Sequence, residues 1–128
     1  WAAVHPLLYN LKDDPRVFVV GDAVGMVSPQ FGHYPKAGHV ANRQARAVAQ
    51  YIAAQAKDQE VKPIIIDNLC FMLVNNSPRE GIAVRFEYSL NAEGVVQQFQ
   101  VDDNDRDPKL WEEDLRWAAT TYADFTVG

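Results

Sequence analysis

The chain has 128 residues, 48% of them apolar, which suits a core of single-domain size. Its 12 Lys and Arg against 17 Asp and Glu give a formal net charge of −5, and no cationic cluster is present to displace counterions, which excludes a nucleic-acid surface. The longest apolar runs, 17–20 and 69–74, fall far short of the ~20 residues of a membrane helix, and the single cysteine, Cys70, excludes an internal disulfide or a multi-cysteine zinc site.

Residues 1–14 form an irregular lead that ends in the turn signal Asp13-Asp14-Pro15. Val17-Phe18-Val19-Val20 is apolar on both faces and predicts a strand buried on both sides, as in a parallel sheet. It stops at Gly21-Asp22, and a loop rich in Gly, Pro and Ser runs to about Gly38. A helix is predicted over 38–57, with Val40, Ala41, Gln44, Ala45, Val48, Ala49, Ile52 and Ala53 on one stripe. Pro63 blocks its extension. Three strands follow, at about 64–74, 82–90 and 95–101, the last two joined by a hairpin at Asn91-Ala92-Glu93-Gly94. Residues 102–107 read as a charged loop; its aspartates lack the spacing and closing Glu of a calcium loop.

Pro108 opens a last helix reaching about Phe125. Trp111, Leu115, Ala118, Tyr122 and Phe125 repeat at spacings of 4, 3, 4 and 3 and predict its core face; partner docking is the alternative use. Glu112, Glu113 and Asp114 lie in its first turns, where the helix dipole favours negative charge. The expected fold is α+β: a strand–loop–helix remnant of an FAD-binding α/β domain over 1–60, then a small three-stranded antiparallel sheet and a C-terminal helix over 61–128. A doubly buried strand needs parallel neighbours, so the rest of its sheet is expected on polypeptide outside the chain, and the chain is expected to self-associate.

Ligands of α/β folds bind at the carboxyl ends of strands. Gly21 admits close backbone approach there, Asp22 can accept from a sugar-like hydroxyl, and the helix start near Gly38 offers N–H groups and partial positive charge to an anion. The same residues also fit a plain turn and helix lead-in. Neither a P-loop nor a GxGxxG fingerprint is present. Cys70, in the apolar run Leu69-Cys70-Phe71, fits a small buried hydrophobe as well as a reactive thiol. His5, His33 and His39 have no metal-ligand spacing.

The segments VFVVGDA at 17–23, YPKAGHVANRQARAVA at 34–49 and NLC at 68–70, with a tryptophan and Tyr122-Ala123 near the end, resemble the flavoprotein subunit of flavocytochrome c sulfide dehydrogenases. These belong to the FAD-dependent pyridine nucleotide-disulfide reductase superfamily. The resemblance implies that Gly21, Asp22 and Ala23 meet the flavin, with Asp22 on the ribityl chain, and that Pro35, Lys36, Ala37 and Gly38 lie against the isoalloxazine ring. It implies that Cys70 is one of two redox-active cysteines, that electrons pass through FAD to a c-type cytochrome subunit, and that the protein is periplasmic. The second cysteine and the βαβ unit for the FAD pyrophosphate are not in this chain, so FAD binding and activity are expected to need further polypeptide. A sulfide:quinone oxidoreductase relative is the third reading; it expects a membrane-attaching C-terminal segment, against which the acidic last helix argues.

Overall fold

A computed structural model describes residues 1–28, 32–61, 63 and 65–126, with only the backbone of 102–104. Ile64, at the expected start of a strand, and the side chains of Asp102 and Asp103 lie outside the described residues. The elements are a single 3-10 turn, Gly21–Ala23, then α1 (Gly38–Gln55), β1 (Asn68–Asn76), β2 (Arg79–Leu90), β3 (Val96–Asp107) and α2 (Pro108–Thr126). The strands lie in the order β1-β2-β3, so the fold is α+β, with a small antiparallel sheet followed by the C-terminal helix. The chain divides into two compact units, Trp1–Asp67 with Glu87–Phe99, and Asn68–Phe86 with Gln100–Gly128.

The first unit is built on α1. Ala37, in extended conformation, precedes the helix, and no side chain caps it. Its inner face carries Val40, Gln44 and Val48, and the two valines join Tyr9, Val24, Tyr34 and Ile66 in one cluster. This face is narrower than the alanine-rich stripe suggests. Ala45, Ala49 and Ala53 are exposed, and Ile52 is 47% exposed. Tyr51 turns inward instead, its ring 5.8 Å from that of Phe18. Alanine marks a helix face weakly because burying it gains little; the larger tyrosine decides the rotation.

Residues 17–20 do not enter a parallel sheet. Phe18 makes one antiparallel bridge with Asn10, and the Leu11 and Val19 N–H groups donate to the carbonyls of Val17 and Tyr9 at 2.8 and 2.9 Å. Tyr9–Leu11 is the partner available within the described residues, so the run is extended but forms no ladder, and Val17 is left 44% exposed. Tyr9 itself is fully buried with a left-handed φ of 60°.

In the second unit β1 pairs antiparallel with β2, from Asn68 opposite Phe86 to Asn76 opposite Arg79, with an irregularity between Leu73 and Asn75. The hairpin that joins β2 to β3 turns at Gly94, with a φ of +75°. Asn91 N–H donates to the Val95 carbonyl at 2.9 Å, closing the turn as its residue types require. β3 continues through the acidic run expected as a loop and ends at Asp107. Pairing to β2 extends the backbone through this run. Leu110 of α2 sits over Gly81, where an added Cβ would stand 3.4 Å away, and Trp117 meets Phe71 with ring centroids 6.2 Å apart. The half-buried side of α2 is therefore Leu110, Trp111, Asp114, Trp117 and Thr121. The expected core face is corrected beyond Trp111, which is half-buried: Ala118 is exposed, and Leu115, Tyr122 and Phe125 are 58, 75 and 62% exposed.

Candidate functional site

Seven of the eight residues expected at the site lie around the start of α1, in the first unit. Val20 is extended, and the chain then folds into the Gly21–Ala23 turn, with Gly21 at φ +69°. A Cβ on Gly21 would come 3.2 Å from the Cβ of Ala41, so the glycine serves both the turn and the close approach to α1. Its N–H donates to Gln44 Oε1 at 2.6 Å. Gln44 is fully buried and its Nε2 has no hydrogen-bond partner. This amide ties the turn to the helix, a role the sequence did not reveal because Gln44 reads there as one member of an apolar stripe.

Asp22 and Ala23 are both exposed, and the Ala23 carbonyl accepts from Ala2 N–H at 2.8 Å. Lys36 Nζ donates to the Asp22 backbone carbonyl at 2.5 Å and lies 5.0 Å from the centre of the Trp1 ring. Lys36 thus links the 3-10 turn to the segment that leads into α1, leaving the Asp22 carboxylate outside that contact. Pro35 and Ala37 are half-buried, and Ala37 N–H donates to the Pro35 carbonyl at 3.1 Å. Gly38 is exposed, and a Cβ built on it would meet nothing within 4 Å. The N–H groups of a first helical turn have no partners within the helix, and this end carries the positive end of the dipole. The arrangement is a carboxylate and an open helix end on one side of a tight turn. It can hold a hydroxyl-bearing chain at Asp22 and favour negative charge at Gly38.

His33 is exposed, its ring 5.3 Å from that of Trp1, while His39 is buried in the first turn of α1. Cys70 lies in the second unit, half-buried on β1 opposite Val84. Asn68 Nδ2 lies 3.3 Å from its sulfur and donates to it.

The chain matches no protein-family model, no curated protein and no solved structure. No helix among the described residues is long and apolar enough to cross a membrane.

Proposed function

We propose that the chain is the C-terminal part of an FAD-dependent oxidoreductase of the sulfide dehydrogenase type, contributing one side of the flavin site. The observation that carries this reading is the open start of α1 beside the exposed Asp22. Gly38 has neither a positive φ nor a crowding neighbour, so the fold gives no reason for glycine at a position where it weakens the helix. A flat ring lying against the helix end supplies that reason.

In this reading Asp22 accepts hydrogen bonds from the ribityl chain, and Gly21 and Ala23 let the backbone approach it. Pro35, Lys36, Ala37 and Gly38 line the ring. The dipole of α1 and the Lys36 ammonium stabilise negative charge on the pyrimidine side. Bound FAD supplies two-electron chemistry that no side chain here can supply. Cys70 forms one half of a disulfide with a cysteine on further polypeptide; hydrosulfide bonds to one sulfur and the other leaves as thiolate. Asn68 steadies the thiolate when Cys70 is the leaving group. The acceptor is a c-type cytochrome subunit and the compartment is the periplasm.

The test uses the visible spectrum. The chain alone, mixed with FAD, is expected to stay colourless, because it carries no glycine fingerprint for the pyrophosphate. The product of its gene with the polypeptide encoded ahead of Trp1 is expected to purify yellow, and Asp22→Ala in that protein to cut the bound flavin about tenfold, the loss of one or two charge-assisted hydrogen bonds. Tight FAD binding by the chain alone, or a flavin-free whole product, overturns the reading.

A second reading draws on the exposed face of α2. Leu115, Tyr122 and Phe125 on one stripe suit a dimerisation or docking module, and self-association of the isolated chain follows from it.

A further inference from the structure

Asn68 opens β1 and is fully buried in the second unit. Its Nδ2 donates to Cys70 Sγ at 3.3 Å. Its Oδ1 is buried and has no hydrogen-bond partner among the described residues. Residues two apart on a strand share a face, so the planar amide lies alongside the sulfur. The idle carbonyl belongs to that same amide, next to whatever the sulfur carries.

A buried carbonyl without a donor is costly, and folded chains keep few of them. The free thiol does not satisfy this one: its sulfur accepts from the same amide, and an S–H is a weak donor. A disulfide brings no hydrogen at all. A hydroxyl bonded to the sulfur brings a strong donor and adds a single oxygen atom. That size suits a half-buried side chain that stands opposite the buried Val84.

We propose that Cys70 reacts with hydroperoxides and that Asn68 holds the sulfenic acid formed there. The sulfur bonds to one oxygen of the peroxide as the O–O bond breaks. Sulfur loses two electrons, the peroxide is reduced, and the thiol hydrogen leaves on the second oxygen as water or an alcohol. The new hydroxyl donates to Asn68 Oδ1. So held, it keeps its hydrogen, and attack by the sulfenate anion on a second peroxide, which gives the sulfinic acid, is slowed. Asn68 is a positioning residue in this step. On the reading that Cys70 pairs with a cysteine on further polypeptide, that thiol displaces the hydroxyl as water and the disulfide forms. The peroxide step itself needs neither FAD nor that polypeptide.

The test treats the reduced chain with excess hydrogen peroxide, adds dimedone at timed intervals and reads the products by intact mass. The wild-type chain is expected to pass through a persistent sulfenic acid that dimedone traps, and Cys70→Ser to give no adduct. Asn68→Ala and Asn68→Leu both remove the carbonyl; circular dichroism shows which of them keeps the fold, and a folded one decides. In it the trapped fraction is expected to fall about fivefold in favour of sulfinic acid, the worth of one hydrogen bond. A second reagent separates this effect from a loosened strand. Methyl methanethiosulfonate leaves an S-methyl group with no hydrogen to donate, so its rate at Cys70 is expected to change by less than about twofold. Direct passage of the wild type to sulfinic acid, inertness of Cys70 to peroxide, an unchanged trapped fraction in a folded variant, or an equal change in the thiosulfonate rate overturns the proposal. None of these outcomes bears on whether FAD binds at Asp22 and Gly38.

Discussion

Two glycines at the proposed flavin edge make opposite predictions. Gly21 holds a φ of +69° and leaves 3.2 Å to the Cβ of Ala41, so Gly21→Ala meets both backbone strain and a crowded neighbour. The left-handed region costs an L residue roughly 1–2 kcal/mol, and the displaced turn also loosens the Gly21-to-Gln44 bond. A drop of about 2 kcal/mol in unfolding free energy is expected in urea titrations; an unchanged midpoint would show that the turn relaxes without cost. Gly38→Ala faces open space and an ordinary helical backbone. It is expected to raise stability by about 0.5 kcal/mol, since alanine loses less freedom on folding. In the whole gene product the same substitution is expected to weaken flavin retention. A variant that gains stability and keeps its flavin argues that Gly38 does not touch the ring.

At the scale of elements, starts and turns were legible in the sequence, and so was the centre of the buried side of α1 in Val40, Gln44 and Val48, but the side that α2 buries was not. Gly38 and Pro108 begin their helices where the residues predict, and Asn91 and Gly94 turn the hairpin as their types require. These features depend on neighbours in the chain. The packing of α2 depends on what lies across from it. The stripe through Trp111, Leu115, Ala118, Tyr122 and Phe125 and the stripe through Leu110, Asp114, Trp117 and Thr121 share helical spacing, and the second is the poorer in apolar residues. The second packs, joined by Trp111 alone from the first, because Gly81 leaves a seat for Leu110, Phe71 meets the Trp117 ring and Arg79 lies over the Trp111 ring. Neither fact can be read along α2 alone. The exposed stripe predicts concentration-dependent association of the chain, which sedimentation velocity across the micromolar range measures. Leu115→Glu with Tyr122→Ser is expected to abolish it while moving the melting temperature by no more than a surface change does, about 0.5 kcal/mol or less. A wild-type chain that stays monomeric at high concentration removes the second functional reading.

At the scale of the molecule, the candidate site was legible as a strand end, a turn and a helix start, but its foundations were not. The turn rests on Gln44 and the first unit on Tyr9, which comes from a lead expected to be irregular and gave no periodic signal. Tyr9 is fully buried, its ring 6.3 Å from that of Tyr34, and Tyr34 Oη donates to the Pro6 carbonyl at 3.2 Å. Burial holds both phenols above their ordinary value of 10.0, and for Tyr9 the nearby charge of an ionised Tyr34 would push the same way. Below pH 10 both rings are protonated whether the chain is folded or not, and their packing contributes in full. Above pH 10 the unfolded chain releases these protons first while the folded chain keeps them. The unfolded state then binds fewer protons, and stability falls by about 1.4 kcal/mol per pH unit for each such tyrosine. Tyr9→Phe removes one of the two groups. The Tyr9 hydroxyl is buried without a hydrogen-bond partner among the described residues, so the substitution is expected to leave stability at neutral pH within about 0.5 kcal/mol, and to flatten the alkaline limb of the stability curve. Thermal melts of both proteins between pH 8 and 11.5 test this: their midpoints are expected to lie close together near pH 8 and to separate above pH 10, with the variant the more stable. Parallel curves would mean that Tyr9 titrates as easily in the folded chain as in the unfolded one, and that the centre of the first unit is open to water.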